Sequence, residues 1–253
     1  MKVVRLQTGG RIAYGVPEKD GIRVYEGSPF VAWEQTDAFV PYADARLLAP
    51  VFPTKIIGVG KNYVAHAEET GSDVPTEPLI FLKPATAVIG PGAPIIHPRI
   101  SKNVHHEAEL AVVIGKVAHH VKAEDAESVI FGYTAANDVT ARDLQRRDGQ
   151  WTRGKGFDTF CPLGPAIETE LDPREGLTVS ARINGETRQS GSTADMVFGV
   201  AELIEFISGV MTLLPGDVIL TGTPPGVGPM LPGDRVEVEV ERIGILSNPV
   251  AAS

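Results

Sequence analysis

The chain has 253 residues, 43% hydrophobic and 22% charged, which is ordinary for a folded globular protein and argues against intrinsic disorder. Its 23 basic and 32 acidic side chains give a formal net charge of −9, so its surface repels nucleic acid and anionic membranes, and we expect neither as a partner. A single cysteine, no apolar stretch long enough to cross a membrane and no signal-peptide core at the N-terminus predict a cytoplasmic protein.

The first fifty residues predict a small β-rich domain. Residues 2–16 read as a strand, a Gly-Gly turn and a second strand, and residues 21–27 read as a third strand. Residues 47–55 include two prolines and show no clear periodicity, which is typical of a linker. We therefore expect an N-terminal domain over 1–50 and a larger domain over 55–253.

The larger region predicts many strands and a few helices, a mixed α/β fold that is mainly β. Strands are expected over 55–60, 78–84, 109–115, 132–140, 217–224 and 234–244, with a hairpin over 177–191 around an Asn184-Gly185 turn. A short helix is expected over 62–71, capped by Asn62 and ended by Gly71. Further helices are expected over 123–131, from 141 onward and over 194–213, where apolar residues recur at helical spacing.

Two glutamates interrupt an apolar strand pattern in the stretch NVHHEAELAVVIG, residues 103–115. Glu107 and Glu109 are two residues apart, so in a strand both side chains point to one face. Three interpretations compete at this point. The pair lies on a solvated strand face, forms an acid pair of the glycosidase type, or binds a hard cation that removes the repulsion between the carboxylates.

A third carboxylate, Asp138, favours the metal interpretation. It lies at the end of a strand of small residues, where it is also a candidate N-cap for a helix beginning near Thr140. Three carboxylates supply the all-oxygen ligation that suits Mg²⁺, Mn²⁺ or Ca²⁺. His105 and His106 lack metal-type spacing to another histidine, so we interpret them as flanking residues and not as ligands.

Four stretches, in this order along the chain, resemble the fumarylacetoacetate hydrolase family. They are HHEAELAVVIG, AANDVTARDLQ, RGKGFDTFCPLGP and LTGTPPGVGP, and the resemblance covers roughly residues 55–245. It implies a β-sandwich roll that binds a divalent metal and is typically a homodimer.

The resemblance also implies roles for particular residues. The metal ligands are expected to be Glu107, Glu109 and Asp138, and Lys155 is expected to face the substrate. Three carboxylates around a divalent ion leave a formal charge of −1, so an anionic substrate needs a nearby cation such as Lys155. The metal is expected to be Mg²⁺ or Mn²⁺, with Ca²⁺ possible.

Substrate contacts and an acid–base pair are implied in the same way. Arg142, Gln145 and Thr223 correspond to substrate-binding positions, with Thr223 holding a carboxylate. The stretch NYVAHAEE resembles the mobile lid of the shorter family members, in which His66 and Glu69 form the catalytic dyad. These two residues lie three apart, on one face of a helix.

The stretch GVGKNY departs from the longer animal-type hydrolases, because it lacks their upstream metal-binding aspartate. The chain therefore resembles the short members, whose reactions are diverse. We expect C–C cleavage of a small anionic 2-oxo acid through a metal-stabilised enolate, either acylpyruvate hydrolysis or oxaloacetate decarboxylation. The alternatives are isomerisation or decarboxylation of a hydroxy-diene dioate in aromatic catabolism, and a non-catalytic protein that binds metal and 2-oxo acids.

Overall fold

The computed structural model describes residues 1–69, 71 and 73–253. The first fifty residues form an antiparallel set of strands, as expected, with two strands more than the three that the sequence pattern predicts. The strands are β1 (Lys2–Thr8), β2 (Arg11–Pro17), β3 (Gly21–Ser28), β4 (Ala32–Pro41) and β5 (Arg46–Leu48).

The remaining residues are mainly β, which confirms the expected fold class. The strands of this region are β6 (Ile56–Gly60), β7 (Leu79–Lys83), β8 (Val88–Ile89), β9 (Ile95–His97), β10 (Val104–His106), β11 (Ala108–Ile114), β12 (Ile130–Asn137), β13 (Thr140–Ala141), β14 (Cys161–Glu168), β15 (Thr178–Ile183), β16 (Glu186–Ser192), β17 (Val218–Leu220), β18 (Gly228–Pro229), β19 (Arg235–Val240) and β20 (Gly244–Ala252). The helices are α1 (Val64–Glu69), α2 (Arg142–Asp148), α3 (Thr152–Lys155) and α4 (Val200–Val210). None of the described helices is long and apolar enough to cross a membrane.

The described residues form three sheets. The largest runs in the order β4-β3-β2-β1-β14-β12-β11-β17-β6-β7, so pairing of β1 with β14 joins the N-terminal strands to the rest. A second sheet runs β16-β15-β19-β20-β9, and a third runs β13-β10-β18. In the large sheet β6 and β17 are parallel, while β11 is antiparallel to both β17 and β12. The ends of β6, β12 and β17 and the start of β11 therefore meet at one edge.

Strand β11 is buried on both faces, which explains its nearly continuous apolar sequence. Leu110, Val112 and Ile114 pack in a cluster with α4, β15 and β19. Ala111 and Val113 face a second cluster with residues of β14 and β17. Burial on both sides holds the strand rigidly, and it is this strand that carries Glu109.

The helices differ from the sequence expectation in their bounds. Residues 123–129 form a 3₁₀ helix, and residues 130 and 131 already belong to β12. Helix α4 begins only at Val200, because the N–H of Val197 is donated to the carbonyl of Asn62, 2.8 Å away, and not to a helical partner. The short helix α1 is confirmed over Val64–Glu69, and residue 70 of the expected helix lies outside the described residues.

The expected cap of α1 by Asn62 is wrong. Its amide donates to the carbonyl oxygens of Thr221 and Phe198, and its Oδ1 accepts from the N–H of Phe198. This side chain therefore ties the segment after β6 to the loop after β17. Gly71 has a φ of +65° and donates to the carbonyl of Glu68, as expected for a residue that ends a helix.

The linker is fixed by a buried aspartate from the first of two Leu-Pro-Gly-Asp turns. Asp217 has no exposed surface and accepts hydrogen bonds from the N–H and hydroxyl of Thr54 and from the N–H of Lys55. It also accepts from the ammonium of Lys55 and from the N–H of Leu214. The start of β6 is thereby anchored next to the start of β17, away from the edge at which both strands end.

Candidate metal and substrate site

Three carboxylates converge where β11 and β12 meet. Glu107 lies at the break between β10 and β11, Glu109 is the second residue of β11, and Asp138 follows β12. The pairing of Ala108 with Asn137 aligns these segments, and the N–H of Asp138 donates to the carbonyl of Glu107 at 2.9 Å. One oxygen from each carboxylate lies within 4.8 Å of the others. The structure thus brings together the three residues that the sequence predicts as ligands.

Three buried cations balance the charge of this carboxylate cluster. Lys155, 2% exposed, donates to Glu107 Oε2 at 2.7 Å and also to Asp138. Arg142 donates to the second oxygen of Glu107, and Lys83 donates to the second oxygen of Asp138. Buried carboxylates need such partners, because an unpaired charge in the protein interior is very costly.

Lys83 is a site residue that the sequence reasoning missed. It is 1% exposed, ends strand β7 and also donates to the carbonyl of Val139 at 3.2 Å. The available signal was a lysine within the apolar stretch PLIFLKP, residues 78–84, since lysine is almost never fully buried unless it is paired. That signal does not identify the partner, which lies 55 residues away.

The electrostatic environment shifts the pKa values of the two glutamates in opposite directions. Burial alone would raise the pKa of Glu107, but the charges of Lys155 and Arg142 outweigh burial and hold it well below its usual range. Burial raises the pKa of Glu109 well above its usual range, and repulsion by Asp138 and Glu107 adds to this effect. Burial works against the charged form of Lys155 too, yet its pKa is raised by Asp138 and Glu107.

The donor set fits a hard divalent cation. The three side chains offer oxygen only, which is the ligation that Mg²⁺, Mn²⁺ and Ca²⁺ prefer. Glu109 has no cationic hydrogen-bond partner among the described residues; its Oε2 accepts from the N–H of Gly222 at 2.7 Å. The repulsion that disfavours its ionised form is the repulsion that a bound cation removes.

His66 and Glu69 form a pair on helix α1. His66 is 6% exposed, and its Nδ1 donates to Glu69 Oε2 at 3.3 Å. The carboxylate of Glu69 also accepts from the N–H of Gly226, at 3.0 Å and 3.2 Å. The helix is thereby attached to the loop that follows β17, and the imidazole is oriented by a carboxylate that is itself held in place.

The three expected substrate contacts are engaged within the protein. Arg142 Nη1 donates to Gln145 Oε1 at 2.9 Å, while Nη2 donates to Glu107. The hydroxyl of Thr223 donates to the carbonyl of Ala108 at 2.8 Å. The Thr223 hydroxyl proton is therefore committed to the backbone between the two glutamates, so a carboxylate could accept from this hydroxyl only if that bond were broken.

A cavity of about 240 Å³ connects these groups. Of the expected site residues, His66, Glu107, Glu109, Arg142, Gln145, Lys155 and Thr223 line it, whereas Asp138 and Glu69 do not. Lys61, Arg146 and Trp151 line it as well and were not expected. The ring of Trp151 packs on Gly60, where an added Cβ would lie 2.5 Å from the indole, so a larger residue at position 60 would displace this ring.

Comparison with known proteins accounts for nearly the whole chain. The family model described as "Fumarylacetoacetate (FAA) hydrolase C-terminal" matches residues 55–251. The chain belongs to the fumarylacetoacetate hydrolase family. A second model, described as "Rv2993c-like, N-terminal", matches residues 1–50 of this family member.

Several relatives within the family have named activities. The human mitochondrial oxaloacetate tautomerase FAHD2B is 48% identical over 224 residues, 83% of this chain and 71% of that protein. A crystal structure of 5-carboxymethyl-2-hydroxymuconate delta-isomerase from Mycobacterium smegmatis is 48% identical, with a TM-score of 0.94 and full coverage of both chains. Maleylpyruvate hydrolase from Sphingobium sp. SYK-6, solved with manganese(II) and pyruvate, is 33% identical, with a TM-score of 0.82 and full coverage of both chains.

The two histidines before Glu107 form hydrogen bonds outside the carboxylate cluster of this family member. The Nε2 of His105 bonds to Asn103 at 2.8 Å, and the Nδ1 of His106 donates to Gln189 at 2.9 Å. Burial lowers the pKa of His105 to about 4, and the positive charge of Arg142 contributes to this shift. His105 is therefore neutral at pH 7.

Proposed function

We propose that this family member is a divalent-metal-dependent enzyme that moves a proton on the carbon next to the keto group of small 2-oxo dicarboxylic acids. The observation that carries the proposal is one cavity lined by Glu107, Glu109 and His66 together. A group that can bind a cation and a group that can accept a proton therefore face the same small volume. This combination suits an acid whose keto oxygen and carboxylate chelate a metal.

Glu107, Glu109 and Asp138 are the residues that would hold Mg²⁺ or Mn²⁺. When bound there, the ion supplies Lewis-acid polarisation of the keto oxygen. Lys155 keeps positive charge beside Glu107 and Asp138, so the anionic end of a substrate meets a site that is not net negative.

His66 is the proposed base. Because its Nδ1 donates to Glu69, its Nε2 carries the lone pair in the neutral ring and can accept a proton. The carboxylate of Glu69 stabilises the imidazolium that then forms, and the bond from Gly226 keeps this carboxylate in position. The same His66 returns the proton to the product, so the pair can serve as base and then as acid.

Charge in the cavity favours a dicarboxylate. Lys83, Lys155 and Arg142 already offset the three carboxylates, so a bound divalent ion makes the site positive. Lys61 and Arg146 line the same cavity, and no ion pair of either is found within residues 1–69, 71 and 73–253. A second carboxylate on the substrate would supply the missing partner for these two cations.

Proton transfer is our first candidate reaction, ahead of the C–C cleavage expected from the sequence. A tautomerase and a delta-isomerase, the activities named for two relatives at 48% identity, both relocate a proton. C–C cleavage is the second candidate, because a hydrolase of maleylpyruvate shares the fold over its full length. Both reactions draw electrons toward the keto oxygen, and they differ in whether a proton or a carbon substituent leaves the neighbouring carbon.

The test is an assay of the Mn²⁺-loaded and Mg²⁺-loaded protein with oxaloacetate, acetylpyruvate and a 2-hydroxy-dienoate. Ultraviolet absorbance follows the enol form of oxaloacetate, and a coupled dehydrogenase measures the release of pyruvate. Faster enol–keto interconversion without pyruvate release supports proton transfer, and pyruvate release supports cleavage. If none of the three acids is converted faster than in the protein-free control with the same metal, the proposed function is wrong.

A further inference from the structure

Gln189 is a buried amide that reaches the site from a different sheet. It lies in β16 of the hairpin sheet and is 1% exposed. The hairpin register shifts between Ala181 and Arg182, whose partners are Gln189 and Thr187, so Arg188 is an extra residue on this strand. Such a bulge re-aims the neighbouring side chain.

All the hydrogen-bonding capacity of the Gln189 amide is used on residues around the carboxylate cluster. Its Oε1 accepts from the N–H of Ala108 and from Nδ1 of His106, each at 2.9 Å. Its Nε2 donates to the hydroxyl of Thr223 at 2.8 Å and to the carbonyl of Pro224 at 2.7 Å. Because both Oε1 partners can donate and both Nε2 partners can accept, the orientation of the amide is fixed.

The partners of Gln189 show which segments of the site it connects. Ala108 is the residue between Glu107 and Glu109, so a bond to its N–H fixes the backbone that joins two expected metal ligands. The bond to Thr223 leads back to the same residue, because the hydroxyl of Thr223 donates to the carbonyl of Ala108. One side chain therefore connects the ligand-bearing strand with the loop that lines the cavity.

We infer that Gln189 is a positioning residue, which sets the spacing of Glu107 and Glu109 through Ala108 and the place of Thr223 in the substrate cavity. The inference rests on the proposed function, because it assigns a supporting role for a metal and 2-oxo-acid site. Removal of a group that hydrogen-bonds to a metal ligand typically changes metal affinity by about 10- to 100-fold, and Gln189 acts one residue further from the ligands, so we expect the lower end of this range. Gln189→Met keeps the side-chain length and removes every hydrogen bond.

The chain offers a matched control in Asn248. This amide is also 1% exposed, and its Nδ2 donates to the carbonyls of Gly90 and Ala93 at 2.9 Å and 2.8 Å. Asn248→Leu removes the same kind of buried amide from residues that do not line the cavity. Both variants are expected to be less stable than the wild type, so stability alone does not distinguish a positioning role from a structural one.

The experiment measures Mn²⁺ binding by calorimetry, and then oxalate binding to the Mn²⁺-loaded protein, for the wild type and both variants. We expect Gln189→Met to weaken Mn²⁺ binding by about tenfold, while Asn248→Leu changes it by less than about twofold. Equal Mn²⁺ affinities of the wild type and Gln189→Met, or equal losses in both variants, would overturn the inference. If the wild type itself binds no Mn²⁺, the proposed function fails.

A double-mutant cycle tests the connection to Thr223. Loss of one hydrogen bond corresponds to about a fivefold change, so Gln189→Met should weaken oxalate binding by about fivefold in the wild-type background. In the Thr223→Val background the same change should have little further effect. Equal losses in both backgrounds would contradict the part of the inference that concerns Thr223.

If Gln189→Met does not fold, Gln189→Asn is the alternative variant. It retains an amide but is one methylene too short to reach both sets of partners. We expect it to weaken Mn²⁺ binding and oxalate binding as well.

Discussion

The two Leu-Pro-Gly-Asp turns give a prediction with a built-in control. Asp217 and Asp234 end identical tetrapeptides, and each accepts from the N–H of the leucine three residues earlier, at 2.8 Å and 2.7 Å. Asp217 has no exposed surface and four further hydrogen-bond donors around it, all from Thr54 and Lys55. Asp234 is partly exposed and has one further side-chain donor, the amide of Asn184.

Asp217→Asn replaces one carboxylate oxygen by an NH₂ group that faces donors. If the NH₂ group takes the place of Oδ2, the N–H of Leu214 loses its acceptor. If it takes the place of Oδ1, the N–H groups of Thr54 and Lys55 lose theirs. The side chain of Lys55 is 23% exposed, so solvent replaces part of its lost ion pair. Leaving a buried donor unpaired costs about 1–3 kcal/mol, so the total loss of unfolding free energy should be about 3 kcal/mol.

Thermal and urea unfolding at pH 7 measure the difference. For a chain of this size about 3 kcal/mol corresponds to a fall in Tm of about 6–12 °C. Asp234→Asn should cost about 1 kcal/mol or less, because water can replace its partners. If the two variants lose the same stability, then the five donors around Asp217 do not provide the stabilisation that we assign to them.

The contribution of Asp217 also has a predicted pH dependence. Burial works to raise its pKa, but hydrogen bonds from Lys55 and Thr54 prevail, and the pKa is lowered in the folded protein. A carboxyl with a lowered pKa stabilises the fold above its unfolded pKa of about 3.9 and loses this effect as the pH falls through the folded value. The stability gap between the wild type and Asp217→Asn should therefore be constant from pH 7 to pH 5 and narrow below about pH 4. If the stability difference between the wild type and Asp217→Asn widens as the pH falls, the pKa of Asp217 is not lowered in the folded protein.

The remaining predictions concern the site. His66→Ala should slow turnover of 2-oxo acids by about 100-fold or more without changing Mn²⁺ affinity in calorimetry, and full activity would contradict its role as base. Lys83→Met should destabilise the metal-free protein by about 3 kcal/mol in urea unfolding, because Asp138 loses a buried partner, and saturating Mn²⁺ should reduce that loss. Arg146→Met should raise KM for oxaloacetate more than for acetylpyruvate. Arg147→Met, the exposed neighbour outside the cavity lining, should change neither value, and equal effects of the two variants would contradict the dicarboxylate proposal.

Local sequence patterns predicted most of the strands, because alternation and turn residues act over a few positions. The hairpin over 177–191 is correct, with Asn184 at φ +53° and Gly185 at φ +84°, as its turn type requires. The helix over 194–213 was predicted too long, because its apolar spacing continues beyond the residues that are helical. A tertiary hydrogen bond, from Val197 to Asn62, decides where the helix can begin, and no local pattern contains it.

The carboxylate cluster was predictable because Glu107 and Glu109 interrupt an apolar strand pattern and because all three acidic residues lie in stretches that resemble the family. The residues that keep this cluster stable were not predictable in the same way. Lys83 and Gln189 belong to strands that are distant in the chain, and each is informative only together with a partner that the sheet order brings close. A buried lysine or glutamine in a strand signals that a polar partner must exist, since the interior does not tolerate such groups unpaired. Identifying that partner requires the register of β11 and β12 and the bulge in β16, which are properties of the assembled sheets.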